Sequence, residues 1–113
     1  KKGEEVGLRH TVEPDEIDRL LEAVRQADLT LPNQWPPRFR AEQEILSTGS
    51  AYDLARLIGV LAKRDVEKGL AATEREVLEN AKTMLASELA VVQGIGLDEA
   101  EKQLDEVIAY HGT

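Results

Sequence analysis

Leucine, isoleucine, valine and alanine recur at three- and four-residue steps along nearly the whole chain, and glycine or proline stands where the pattern lapses. That spacing lines up apolar side chains on one face of an α-helix. It constrains the fold more than any other feature, because amphipathic helices bury their stripes only against other helices when no alternating strand is available. No stretch longer than "LTLP" reads as an alternating strand. The expected fold is therefore all-α, a compact single domain of about five helices joined by short loops.

The first helix is expected from about Pro14 to Gln26, with Ile17, Leu20, Leu21 and Val24 as its stripe. Pro14 suits a first helical position, and Asp15 and Glu16 favour the positive end of the helix dipole. The second is expected from about Pro36 to Leu46. Its two prolines fit only a first turn, where their missing N–H groups break no hydrogen bond. Asn33 or Gln34 is the candidate cap, and Gly49 the stop. The third runs from about Ala51 to Lys68, with Ser50 as N-cap and Asp53 three residues on. The fourth runs from about Glu74 to Gln93, with Thr73 and Glu76 as a capping box and Leu78, Ala81, Leu85, Leu89 and Val92 as its stripe. The fifth runs from about Asp98 to Tyr110, burying Leu97, Ala100, Leu104, Val107 and Ile108.

The 113 residues contain no cysteine, so disulfides and cysteine-based metal sites or nucleophiles are excluded. No run approaches a membrane-spanning length, and the opening residues lack the apolar core of a secretory signal. A cytoplasmic, nucleoid-associated setting fits. Residues 1–10 read as the end of an interdomain linker, and residues 11–113 as the helical domain. There is no initiating methionine.

Catalytic signatures are poor, and the chain is not expected to be an enzyme. His10 and His111 lie near opposite ends. Glu74, Glu76 and Glu79 along one helix, and Asp98, Glu99 and Glu101 along another, read as solvated helix faces rather than paired acid/base groups. The paired Glu-x-x-His motifs of a di-iron bundle are absent, the glycines fall where helix stops are needed, and no calcium-loop spacing is present. No cofactor, metal or small-molecule substrate is expected.

One stretch departs from the rest. "PNQWPPRFRAEQ" carries the only tryptophan, Trp35, then two prolines, Arg38, Phe39 and Arg40. Between Asp28 and Glu42 there is no acid, although the chain's net charge is −8. Such a charge disfavours capture of nucleic acid by the domain as a whole, so any DNA contact has to come from a local patch. A tryptophan stiffened by prolines and flanked by arginines suits stacking on an opened base step, with arginines on phosphates. It equally suits the anchor of a helical protein–protein or dimerisation interface. A third reading has Trp35 cap the core by packing on Phe39, itself a core residue.

The blocks "VGLRHTVEPDEIDRLLEAVRQ", "PNQWPPRFRAEQEIL" and "LARLIGVLAKRDVEKGLAATEREVLENAKTMLASELAVV", taken in order, resemble the C-terminal helical domain of the CarD/CdnL family of bacterial transcription regulators. The resemblance covers roughly Val6 to Ile108 in register. Its most specific pieces are the Asn-x-Trp-x-x-Arg-aromatic-Arg block, the "RD.EKGL" turn and "SELA".

The resemblance implies a two-domain protein. A Tudor-like N-terminal domain, absent from this chain, binds the RNA polymerase β subunit. The helical domain meets promoter DNA at the upstream fork junction of the bubble, where an exposed tryptophan wedges into the minor groove and stabilises the open complex. Trp35 matches the wedge, Arg38 and Arg40 match the basic positions beside it, and Lys82 lies where the fourth helix often carries a basic residue. Lys63 and Arg64 match a further basic run. Pro37 and Asn80 stand where many relatives are basic, which implies weak DNA binding by the isolated domain. Tethering to polymerase offsets such weakness by raising the effective concentration.

Overall fold

A computed structural model describes residues 13–109. It is built from a short 3₁₀ turn, Pro14–Glu16, and five helices: α1 Ile17–Gln26, α2 Trp35–Thr48, α3 Ala51–Lys68, α4 Ala72–Gln93 and α5 Leu97–Ile108. There is no strand among the described residues. His10, Tyr110 and His111 lie outside them, as does the proposed linker.

The central element is α3, which packs against α1 on one side and α4 on the other. α5 packs on α4 and reaches α1 as well, and α2 rests across α3 and α4. The sequence explains this hierarchy. Leu54, Leu57, Ile58 and Leu61 are all fully buried, so α3 is apolar over more than one face and has to be surrounded. In α1 only Leu20 and Val24 are fully buried, with Ile17 and Leu21 partly covered at the edge of the stripe. The tightest contact is where α1 meets α3. A Cβ on Gly59 would lie 2.3 Å from the Val24 carbonyl oxygen, so the two backbones touch there with nothing between them.

The helix ends largely follow their expected chemistry. Ser50 caps α3 reciprocally with Asp53: the Asp53 N–H donates to Ser50 Oγ at 3.2 Å, and the Ser50 N–H donates to Asp53 Oδ2 at 3.3 Å. Gly94 ends α4 in the left-handed region, at φ 68°. Ala27 does the same for α1 without being glycine, at φ 51°.

Three boundaries differ from the sequence reading. The first turn of the first segment is 3₁₀. α4 begins at Ala72, with Ala71 as an N-cap that offers no side chain, so Thr73 and Glu76 lie inside the helix and form no capping box. A cap of that kind is worth about 1 kcal/mol, and the inward pairing of Glu74 described below outweighs it. α5 begins at Leu97, which is 43% exposed because it is the first residue of the helix, at the tip of the α4–α5 turn.

Charged and polar clamps tie the helices beyond the core. Arg75 donates through both terminal nitrogens to Asp65, at 3.1 and 3.0 Å, while Asp65 also accepts the Leu70 N–H at 3.2 Å. This fixes the α3–α4 turn. Gln93 and Gln103 exchange amide hydrogen bonds of 2.8 and 3.0 Å between α4 and α5.

Candidate nucleic-acid interface

The corner that departs from the acidic background forms the first turn of α2. Trp35, Pro36 and Pro37 are its opening residues, and Gln34 is the N-cap through its backbone, with no side-chain bond. The prolines need no N–H here, and their fixed φ narrows what the turn can do. Trp35 is 37% exposed. Its ring centroid lies 5.1 Å from that of Phe39, tilted by 36°. Phe39 in turn packs on the hydrophobic core. The indole is therefore packed against Phe39 yet partly open to solvent, which combines core packing with accessibility.

The second support of the indole is Arg38, whose Cζ stands 5.1 Å from the Trp35 ring centroid, within cation–π range. Here the structure departs from the sequence reading. Arg38 was expected at the surface, but it is only 8% exposed and its guanidinium is committed inward. Nε donates to Glu74 Oε2 at 2.9 Å, Nη2 to Glu74 Oε1 at 3.3 Å, and Nη1 to the Asn33 carbonyl at 2.6 Å. All three nitrogens are used. The cause is Glu74, which was read as a solvated glutamate and is in fact buried at 2% exposure. Burial of a carboxylate requires a partner, and a bidentate arginine is the partner that best fits its two oxygens. The signal was present in the spacing: Glu74 stands three and four residues before the buried Val77 and Leu78, within the apolar stripe of α4.

Glu42, one turn beyond Arg38 in α2, completes the cluster and went unnoticed in the sequence. It is fully buried, and neither carboxyl oxygen accepts a hydrogen bond. Arg38 Nε lies 3.8 Å from Glu42 Oε2, and Arg64 Nε lies 3.9 Å from Glu74 Oε1. Burial, followed by the hydrogen bond and the negative charge of Glu74, pushes the Glu42 carboxyl up to about 8. At Glu74 burial acts in the same direction. It is outweighed by hydrogen bonds from Glu42 and Arg38 and by the charges of Arg38 and Arg64, which together hold Glu74 below the ordinary carboxylate range. The two carboxyls thus hold one proton between them near neutral pH, and it resides on Glu42.

This has a thermodynamic consequence. Glu42 is harder to ionise folded than unfolded, so its contribution is complete below the ordinary carboxylate value of 4.5 and is lost as pH rises through about 8. Unfolding midpoints in urea are expected to fall between about pH 6 and 9, by on the order of 2 kcal/mol from one proton over about two units. Glu42→Gln should flatten that slope. Equal slopes in the two proteins would place the titrating group elsewhere.

The remaining basic residues sort by what holds them. Arg40 is exposed and makes no ion pair with a described residue. It lies about 140° round α2 from Trp35 at 3.6 residues per turn, so it flanks the indole rather than sharing its face. Lys82 is engaged: its Nζ is 2.9 Å from Asp105 Oδ1 of α5 and 3.7 Å from Glu79 Oε2. Lys63, Arg64 and Lys68 line, with Leu29, Leu31 and Val60, a groove of about 220 Å³ between the α1–α2 connection and α3, next to Arg38. No helix among the described residues is long and apolar enough to cross a membrane.

Compared with known proteins, the chain matches the model of the CarD C-terminal domain over residues 19–105. It is also 34% identical over 79 residues to "Putative transcription factor YdeB" of Bacillus subtilis (strain 168), a match covering 70% of this chain and 48% of that protein. The chain thus spans about half the length of that relative. The family match runs from α1 to α5 and contains Trp35, its Arg38–Glu74 backing and the clamped α3–α4 turn. The chain belongs to the CarD C-terminal domain family.

Proposed function

We propose that this chain is the DNA-contacting module of a transcription regulator, acting at the upstream edge of the promoter bubble. It stabilises the RNA polymerase open complex. The observation that carries this reading is the partly exposed Trp35 indole, packed against Phe39 and Arg38 at the start of a proline-stiffened helix. A rigid aromatic loses little freedom on engaging a base step. Unstacking such a step costs about a few kcal/mol, and a wedge complementary only to the opened step recovers part of it. Each 1.4 kcal/mol recovered shifts the open-to-closed ratio about tenfold.

In this reading Arg40 is the phosphate-holding residue, because its charge is unspent. Lys82 takes such a role only by exchanging Asp105 for a phosphate, and Arg38 serves by packing against the indole. Family membership and the transcription-factor designation of the Bacillus subtilis relative support a place in transcription. Contact with the polymerase β subunit belongs to a separate N-terminal domain.

The test uses Trp35 as its own probe, since the chain has one tryptophan. Emission and acrylamide quenching are followed with a promoter-like upstream fork and with fully paired duplex. Protection by fork and not by duplex is expected. Trp35→Ala should weaken fork binding by about 1–3 kcal/mol, the worth of one stacked base, with the domain still folded. Arg40→Gln should lower the slope of log affinity against log salt by about one. Absence of any fork effect, or equal protection by duplex, removes the junction reading. The net charge of −8 favours one alternative, a protein surface docking on the same corner. A mass that rises with concentration in the absence of DNA would identify a second copy as that partner.

A further inference from the structure

The cluster beside Trp35 joins four ionisable side chains from three helices. Arg38 and Glu42 come from α2, Arg64 from α3 and Glu74 from α4. One planar guanidinium links them to the corner. It is gripped by Glu74 at its Nε and Nη2 edge, holds the Asn33 carbonyl just ahead of α2, and lies against the indole. Glu42 stands 3.8 Å from the same Nε, fully buried, with no donor on either oxygen. Two carboxyls therefore compete for one arginine edge. As long as Glu42 is neutral, Glu74 holds the arginine alone.

We propose that Glu74 and Glu42 are positioning residues for Trp35: Glu74 holds Arg38 against the indole, and a negative charge arriving on Glu42 draws Arg38 away, so that the pose of Trp35 follows the protonation of Glu42. The consequence for DNA rests on the junction reading above, whereas the positioning itself does not. Glu42 is faced by Arg38 on its own helix, by Arg64 from α3 and by Glu74 from α4. When both carboxyls are ionised, Glu42 competes with Glu74 for the Nε edge of Arg38, which lies 3.8 Å from the one and 2.9 Å from the other. Arg64, partly exposed and 3.9 Å from Glu74, is too remote to replace it in the bidentate grip. The raised ionisation of Glu42 puts the change near pH 8, within reach of a folded protein.

The experiment is acrylamide quenching of Trp35 in this chain from about pH 6 to 9.5, with helix content followed by circular dichroism. In the wild type, quenching is expected to change through a transition near pH 8. Glu42→Gln, which keeps the shape and cannot ionise, should lose the transition and stay at the low-pH value throughout. Glu74→Gln, if it folds, should show altered quenching already at about pH 6, because a neutral amide cannot grip the guanidinium bidentately. A transition that persists unchanged in Glu42→Gln overturns the proposal. So does a wild-type signal that is flat while helix content is constant. Protection of Trp35 by fork DNA at about pH 6 is read separately. If the pH transition is present and fork protection is absent, the positioning stands and the junction reading fails.

Discussion

Glu74→Ala is expected to destabilise the domain by about 3 kcal/mol, the toll of leaving a buried charge without its partner. The substitution removes both carboxylate oxygens from Arg38 and deprives Arg64 of its nearest acid, while Arg38 stays 8% exposed. Part of the loss is recoverable. Without Glu74, the carboxyl of Glu42 faces Arg38 unopposed, so it ionises more readily and takes over some of the pairing. That keeps the expected value at the lower end of the range for broken buried pairs. The comparison within the same helix makes the effect specific. Glu76 and Glu79 are exposed, and replacing either with alanine should change stability by no more than about 0.5 kcal/mol. Urea unfolding of the three variants at about pH 7 decides it. If Glu74→Ala behaves like its two neighbours, water reaches Arg38 and the cluster is not closed as described.

Gly59→Ala should cost about 2 kcal/mol, against the trend for its residue type. In an exposed helix the same change would gain up to about 1 kcal/mol from propensity. Here the new Cβ would come 2.3 Å from the Val24 carbonyl oxygen and 3.1 Å from the Ala27 Cα. Both obstacles are backbone, so no rotamer change relieves them. α1 has to lift from α3, which loosens Leu20 and Val24, two residues that are fully buried there. Overpacking of this kind costs about 1–3 kcal/mol after relaxation, and at this depth of overlap it exceeds the propensity gain. Thermal unfolding measures the sign directly. A stabilised variant would mean that α1 can shift without losing its contacts.

Much of the architecture was legible in the chain because it rests on local rules. The three- and four-residue spacing of Leu54, Ile58 and Leu61, or of Leu78, Ala81, Leu85 and Leu89, specifies a helix face whatever packs on it. Ser50 with Asp53 specifies the start of α3 through bonds within one turn, and Pro36 with Pro37 can open a helix but not continue one. Trp35 stands out because the only tryptophan, among prolines and arginines, is conspicuous in an acidic chain. Local rules failed where a distant residue outbid them. Thr73 and Glu76 have the spacing of a capping box, yet α4 starts earlier, in the register that turns Glu74 towards α2.

What sequence alone determined, then, was five amphipathic helices, their approximate ends, and a stiff aromatic corner free of acids. What only the tertiary structure decided was which charges are spent. Arg38 and Arg40 are two residues apart, with similar neighbours, and nothing local separates them. Packing of α2 across α4 buries the first against Glu74, thirty-six positions away in the chain, and leaves the second in solvent. Helix periodicity depends on neighbours within a turn or two, whereas the ionisation and pairing of a buried side chain depend on whatever the fold brings against it.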